Sequence, residues 1–145
     1  MGVAFPLPAA SALRRQIAMR ERHPVDHVAG ARRRAAAAEA AAWLAQDILT
    51  EAEREAILDK LWIAVERGEY EMTVLRFPSD LCSDGGRAVN NCLDGWPDTL
   101  PGKARAIYAM WLHEARPSGY RLKCAIVDFP NGIPGDVGLA LNWSK

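Results

Sequence analysis

The most regular hydrophobic pattern in the chain lies between residues 104 and 115. Apolar side chains recur there at intervals of three and four, at positions 104, 107, 108, 111, 112 and 115. This spacing places them along one face of an α-helix. Pro117 disfavours helical backbone in the residue before it, so the pattern predicts a helix that ends before this proline.

A second helix is predicted over residues 51–67. Thr50 and Glu53 have the spacing of a capping box, in which each side chain bonds the backbone N–H of the other residue. Apolar residues follow at positions 57, 58, 61, 62 and 65, and we interpret them as a single stripe that packs on the core. Gly68 stands where a left-handed helix stop belongs.

Three segments have the composition or alternation of β-strands. Residues 70–77 are rich in β-branched and aromatic side chains, and residues 120–127 and 137–143 alternate large apolar residues with polar or small ones. Asn131 and Gly132 lie between the last two segments and favour positive φ angles. The sequence therefore predicts that the last two strands form a hairpin with a long loop.

A short helix is predicted from Ser79 to about residue 92. Ser79 is a suitable N-cap, and the pattern places Cys82 in the first turn. Cys82 and Cys92 then lie on the buried side of this helix, and Cys124 lies on the core face of a strand. We expect all three thiols to be unreactive.

The N-terminal region is predicted to be a partly helical arm. Ser11 can cap a helix that runs to Arg22, and Pro24 is expected to interrupt it. The alanine-rich segment 29–45 favours helix again, but its large apolar residues come only near its end. We therefore divide the chain into an arm, residues 1–40, and a compact domain, residues 41–145.

The predicted domain belongs to the α+β class, with two layers and the order helix, strand, helix, helix, strand, strand. Over residues 51–143 this order resembles that of the winged-helix family. The resemblance implies a small sheet formed by the first strand and the terminal hairpin. It also implies that the third helix enters the major groove of DNA.

Charge is segregated between the arm and the rest of the chain. Residues 1–34 hold seven arginines and two acidic residues, a net charge of +5, whereas the other 111 residues hold 11 basic and 16 acidic residues, a net charge of −5. The chain contains no apolar run long enough to span a membrane, and its three cysteines form no C-x-x-C pair. We expect a cytoplasmic protein that requires neither a metal nor another cofactor.

The first functional hypothesis is a non-enzymatic protein-interaction or adaptor module. The basic arm has too few apolar residues to pack fully by itself, so we expect it to bind a protein partner or to mediate self-association. Four of the five tryptophans lie on predicted core faces. Trp96, between a glycine and a proline, either covers the core or is exposed as an anchor for a partner.

The second hypothesis is a winged-helix-like regulator that binds nucleic acid. It assigns phosphate or groove contacts to basic residues of the arm, the long helix and the following strand, which are Arg32, Arg33, Arg34, Lys103, Arg105, Arg116, Arg121 and Lys123. The acidic domain argues against it. So does the segment from Phe129 to Asp136, the expected wing, which contains no lysine or arginine.

A thiol-based enzyme is the third hypothesis. Cys82 and Arg87 flank a glycine pair after a predicted strand, as in a phosphate-binding loop. However, four residues separate the cysteine from the arginine, whereas the cysteine-phosphatase loop has five. Asp84 within the segment would also repel a phosphate. We therefore expect a packing role for this segment and assign no catalytic residue.

Overall fold

The computed structural model describes residues 7–145, and between residues 19 and 27 it describes the course of the backbone only. The chain divides into two units, Met1–Ala40 and Ala41–Lys145. Gly2 and Pro6, where the sequence argues against N-terminal lipidation, lie outside the described residues. Whether residues 41–145 fold without the arm stays a prediction.

Helix α1 extends from Ala10 to Ala45, and its backbone is helical across Pro24. The expected interruption at this proline is therefore wrong. Proline lacks an N–H group and removes one backbone hydrogen bond, which costs about 3 kcal/mol in a helix interior. The alanines that follow have the highest helix propensity of any residue and support the helix on the C-terminal side.

The second unit combines helices with a three-stranded antiparallel sheet. Its elements are α2 (Glu51–Glu66), β1 (Glu71–Pro78), α3 (Arg87–Asn90), α4 (Gly102–Met110), β2 (Arg121–Ile126) and β3 (Asp136–Asn142). Helix α4 continues into one π-helical turn, Trp111–Ala115. The predicted helices at 51–67 and 104–115 and all three predicted strands are confirmed, with boundaries shifted by one or two residues.

The sheet has the strand order β1-β3-β2, with β3 in the centre. Leu139 of β3 lies opposite Leu75 of β1 and Cys124 of β2. The predicted hairpin of β2 and β3 is confirmed, and Asn131 and Gly132 in its loop have φ angles of 54° and 77°.

The core lies between one face of this sheet and the helices. Val137, Leu139 and Leu141 alternate along β3 and are almost completely buried. Leu44, in the last turn of α1, and Ile107 of α4 belong to the same cluster. Side chains at alternate positions of a strand point to opposite faces. The other face of the sheet therefore holds the polar and small residues.

The predicted helix from Ser79 to residue 92 is wrong over most of its length. The chain forms a short 3₁₀ turn, Ser79–Leu81, and becomes α-helical only over Arg87–Asn90. Gly85 and Gly86, with φ angles of 71° and 88°, form the turn that separates them. A β-carbon at Gly86 would lie 2.8 Å from that of Ser79, so this close approach requires glycine.

Three residues expected in the core are exposed. Cys92 follows the short helix with a φ angle of 53° and is exposed, not buried. Trp43 and Trp62 are 41% and 61% exposed, whereas Trp111 and Trp143 pack partly against the core. The expectation of four core tryptophans is therefore half correct.

A buried ion pair joins the beginning of α2 to the beginning of α4. Lys103 is 1% exposed, and its Nζ atom donates hydrogen bonds of 2.6 Å to Oε1 of Glu53 and to the backbone carbonyl of Ile48. The predicted capping box is also present. The Thr50 N–H donates to Glu53 Oε1, and the Glu53 N–H donates to Thr50 Oγ1.

The same junction requires a glycine next to the lysine. A β-carbon at Gly102 would lie 2.6 Å from the carbonyl carbon of Gln46, so the backbone of α4 can approach the end of α1 only without a side chain at this position. Nζ of Lys103 also lies 5.3 Å from the centre of the Trp43 ring. Residues 43–53 are thus attached to α4 through several contacts.

Replacing Glu53 by glutamine should lower the free energy of unfolding by about 2–3 kcal/mol at pH 7, because it leaves a buried ammonium without its counter-charge. The Lys103 hydrogen bond is the largest cause that lowers the pKa of Glu53 below its usual 4.5. A carboxyl with a lowered folded-state pKa stabilises the fold above its unfolded-state pKa. The difference between wild type and Glu53→Gln should therefore shrink as the pH falls below about 4.5.

Glu71→Gln is the matched control, because Glu71 pairs with Lys123 at 2.8 Å on the surface, where both side chains are about half exposed. Its loss should be below about 1 kcal/mol. Chemical denaturation at pH 7 and at pH 3 measures both variants. Equal losses for the two variants would contradict a structural role specific to the buried pair.

Candidate protein-binding groove

Helix α2 carries large apolar side chains on two adjoining sides, and only one side is covered. Ala64 is buried, and Ile57 and Leu61 pack against the core. Leu58 and Trp62 remain 55% and 61% exposed. Val65 is 42% exposed as well, so the prediction of a single core-facing stripe is wrong for three of its five residues.

An apolar groove of about 230 Å³ runs beside the exposed side of α2. Its lining includes Ile57, Leu58 and Leu61 of α2, together with Met110, Tyr120 and Leu141. A further depression of about 180 Å³ shares Leu61 and Tyr120 with it and continues to Val65 and Trp143. We call the two together the α2 groove.

The α2 groove extends along about three turns of the helix. It begins at Arg54 and ends at Val65, and a rise of 1.5 Å per residue makes this about 16 Å. Leu58, Trp62 and Val65, at spacings of four and three, follow its outer edge and are all more than 40% exposed. A groove of this length accommodates a short amphipathic helix with apolar residues at similar intervals.

The solvent side of the groove edge is acidic. Glu55 and Asp59 precede Leu58 and Trp62 by three residues each, and Glu66 follows Trp62 by four. Residues at these spacings are neighbours on a helix surface. Glu51 lies one turn before Glu55, and all four carboxylates are exposed. The apolar edge is therefore flanked by a row of four negative charges.

One ion pair crosses the groove near its first end. Nη1 of Arg54 donates to Oε2 of Glu114 at 2.7 Å, and the two side chains are 46% and 55% exposed. Exposed pairs of this kind contribute about 0–1 kcal/mol, because water screens them. The Arg54–Glu114 contact can therefore exchange for other charged groups at little cost.

The π turn fixes the wall of the groove opposite α2. The indole N–H of Trp111 donates to the backbone carbonyl of Tyr120 at 2.9 Å, which attaches the start of β2 to this turn. The guanidinium of Arg116 lies 5.8 Å from the centre of the Trp111 ring. The backbone that carries the lining residues of this wall is therefore held in place by the Trp111 hydrogen bond. These residues are Glu114, Ala115 and Tyr120.

Lys103, predicted to contact nucleic acid, lies in the interior. It is 1% exposed and its ammonium donates to Glu53 and Ile48, so it cannot reach a phosphate without breaking the junction described above. The apolar pattern of the helix gave no signal for this, because a lysine beside a glycine at a helix start is usually solvent-exposed. The assignment of Lys103 to a nucleic-acid surface is therefore corrected.

The other predicted basic residues of the domain have intramolecular partners and do not form one surface. Arg105 lies 3.8 Å from Asp47, and Arg121 donates to Asn142 and Ser144. Arg121 and Lys123 occupy the face of β2 opposite to its core-packed residues, while α4 packs on the core side. The arginines of the long helix and the basic residues of β2 thus lie on different faces of the sheet.

Arg32, Arg33 and Arg34 are exposed on α1. They belong to the first unit and stand in a helical segment with alanines on both sides of the triplet. Their assignment to phosphate or partner contacts remains a prediction.

In the segment around Cys82, the carboxylate of Asp84 binds the backbone N–H groups that a phosphate-binding loop would offer to an anion. Asp84 accepts hydrogen bonds from the N–H groups of Gly86 at 3.0 Å and Ala88 at 2.9 Å. Burial, and then the charges of Asp84 and Asp80, raise the pKa of the Cys82 thiol to about 11. Cys82 is therefore a buried, protonated thiol at neutral pH.

Trp96 is half-buried and packs edge-to-face on Tyr108, with 5.4 Å between the ring centres. It also lines an open depression with Leu93 and Leu122. The packing on Tyr108 accounts for its position as a cover over the core. Its role as an anchor for a partner remains a prediction.

Doublets of apolar residues are the sequence signal that could have revealed the α2 groove. Residues 57–58 and 61–62 are adjacent pairs, and neighbours on a helix point about 100° apart. Both members of each pair cannot face one flat core. The apolar surface of α2 is wider than one core-facing side. This width, rather than the spacing of three and four residues, indicates that one side of the helix stays uncovered.

Comparison of the chain with protein-family models, curated proteins and solved structures finds no match. Within the described residues, no group of three or more histidine, cysteine or acidic side chains could hold a metal ion. No helix in the part of the chain that the structure describes is long and apolar enough to cross a membrane. Function must therefore be argued from the α2 groove and the charge distribution.

Proposed function

We propose that this chain is a protein-interaction module and that its α2 groove binds an amphipathic helix with basic flanks. The observation that carries the proposal is the exposed apolar edge of α2 beside an open groove. Contiguous apolar surface next to polar residues is typical of protein-binding sites. The four carboxylates along this edge select for a ligand with positive charges.

The groove has the chemistry of helix recognition and lacks that of catalysis. Its lining is predominantly apolar, and its charged members, Arg54 and Glu114, are paired with each other. A helix with leucines at intervals of three and four would place them along Leu58, Leu61 and Val65. Lysines on its flanks would then lie close to Glu55 and Asp59.

The three cysteines support a reducing, cytoplasmic setting for this module. All are free thiols. Burial is the main cause that raises the pKa of Cys124 to about 12, as it raises that of Cys82. The raised pKa values keep the buried Cys82 and the half-buried Cys124 protonated and so protect them from oxidation, and a thiol-based enzyme remains the least supported of the three hypotheses.

A synthetic helical peptide with leucines at i, i+4 and i+7 and lysines elsewhere should bind the full-length chain with a dissociation constant on the order of 10–100 µM. Amide shifts in nitrogen-15 NMR spectra should concentrate on residues 54–66 and around Tyr120. A peptide with the same leucines and glutamates in place of the lysines should bind at least about tenfold more weakly, because the groove edge is acidic.

Two variants of α2 test where the peptide binds. Leu58→Asp should abolish binding, whereas Ile63→Asp should leave it unchanged, because Ile63 is similarly exposed but lies on the other side of the helix. Equal affinity for the lysine and glutamate peptides, or equal effects of the two substitutions, would refute the proposed groove.

The second candidate is a nucleic-acid-binding regulator, and the strand order β1-β3-β2 favours it. Together with the order of helices and strands, this strand order supports the resemblance to winged-helix domains noted in the sequence. Because Lys103, Arg105, Arg121 and Lys123 have intramolecular partners, this second candidate depends chiefly on the exposed Arg32, Arg33 and Arg34 of the arm.

If this second function is correct, the affinity for duplex DNA should fall steeply with salt, by a log–log slope of about 0.9 per phosphate contact. Replacing Arg32, Arg33 and Arg34 by alanine should reduce that slope by about three contacts. Fluorescence anisotropy with a labelled duplex measures both. Negligible binding at low salt would exclude the nucleic-acid function.

A further inference from the structure

We propose that the helix bound in the α2 groove is the N-terminal helix of a second copy of this chain, so that two chains exchange their arms and form a dimer. The inference rests on the proposed function of the groove and names its partner. It joins the basic arm and the acidic domain, the two parts of the chain with opposite charge.

The N-terminal part of α1 has the chemistry that the groove requires. Leu13 and Ile17 are one turn apart and are 47% and 57% exposed. Arg14 and Arg15 are exposed beside them, and residues 1–34 together carry a net charge of +5. This segment is therefore an amphipathic helix with a short apolar face and basic neighbours.

Each of the two units has an exposed apolar surface. Leu13 and Ile17 are exposed in the first unit, and Leu58 and Trp62 are exposed in the second. A second copy supplies a cover for each of them. Opposite net charges of +5 on residues 1–34 and −5 on the remainder favour contact between an arm and a domain of different copies.

Direct pairing of two α2 helices is the competing arrangement, and the charges oppose it. The exposed edge formed by Leu58 and Trp62 has Glu55 and Asp59 beside it in each copy. Placing two such edges together would bring carboxylates close to carboxylates, which is unfavourable. An arginine-bearing helix removes that repulsion and gains attraction.

Arm exchange also explains why assembly would stop at two chains. Each copy has one arm and one groove, so two copies related by a twofold axis satisfy both sites. The contact that forms first brings the second arm and groove into proximity. The second contact then forms at a high effective concentration, so two weak helix–groove contacts produce a stable dimer.

Sedimentation velocity of the full-length chain tests the inference. We expect a dimer of twice the 15.9 kDa chain mass at micromolar concentration, with dissociation favoured by high salt. Leu58→Asp removes the groove, and Leu13→Ala with Ile17→Ala removes the apolar face of the arm while preserving helix propensity. Each variant should be monomeric, whereas the control Ile63→Asp should remain dimeric.

Mixing the two monomeric variants provides the decisive observation. The Leu58→Asp chain retains an intact arm, and the Leu13→Ala/Ile17→Ala chain retains an intact groove. A one-to-one complex should therefore form on mixing, at least about tenfold weaker than the wild-type dimer, because it contains one contact in place of two. No other pairing of surfaces predicts this complementation.

Three outcomes would overturn the inference. They are a wild-type chain that is monomeric up to about 200 µM, a dimer that persists in both variants, and the absence of a complex on mixing. The experiment with the lysine peptide distinguishes a failure of the proposed dimer from a failure of the proposed groove function. If the peptide binds the wild-type chain at residues 54–66 while the chain is monomeric, the groove function stands and the partner is another protein.

Discussion

The ion pair between Lys103 and Glu53 determines which side of α2 faces the core. Glu53 lies on the same side of the helix as Ile57 and Ala64, and its carboxylate meets a lysine that is 1% exposed. Turning α2 to bury Leu58 and Trp62 would withdraw Glu53 and leave the ammonium buried without a counter-charge. That cost is several kcal/mol in a low-dielectric interior, and the same rotation would expose Ile57 and Leu61, so the two penalties offset the gain from burying Leu58 and Trp62.

The exposed apolar edge is therefore a consequence of packing elsewhere in the domain. Ile57 and Leu61 fill the space beneath α2, and Gly102 brings the start of α4 against the end of α1. With the start of α2 held by Lys103 and with Ile57 and Leu61 packed inward, Leu58 and Trp62 remain exposed on the outer side of the helix. The acidic residues beside them are the reason that the proposed ligand of this surface is a basic helix.

Regular periodicity and local signals gave most of the secondary structure. The capping box at Thr50, the strand alternation around Leu139 and the positive-φ pair at Asn131 act within a few residues, so the sequence alone can identify them. Lys103 shows the limit of such reasoning. Its burial depends on hydrogen bonds to a carboxylate 50 positions earlier and to the backbone carbonyl of Ile48. No local sequence pattern predicts contacts between residues so far apart in the chain.

The site was harder to predict than the fold for a related physical reason. Charge segregation was visible in composition and indicated the arm as one partner. The complementary surface was concealed, because an apolar residue on an amphipathic helix is ordinarily assigned to the core. The tertiary packing of the domain, which no local pattern shows, distinguishes Leu61, which packs inward, from Leu58, which remains exposed.

The contact between arm and groove can be observed directly by NMR on a dimer assembled from two differently labelled preparations of the chain. One preparation carries carbon-13 in its leucine and isoleucine methyl groups, and the other is unlabelled. The account predicts isotope-filtered cross-peaks between chains that connect Leu13 or Ile17 of one copy with Leu58 or Leu61 of the other. Cross-peaks between chains that connect α2 with α2, or none that involve Leu58 and Leu61, would contradict it.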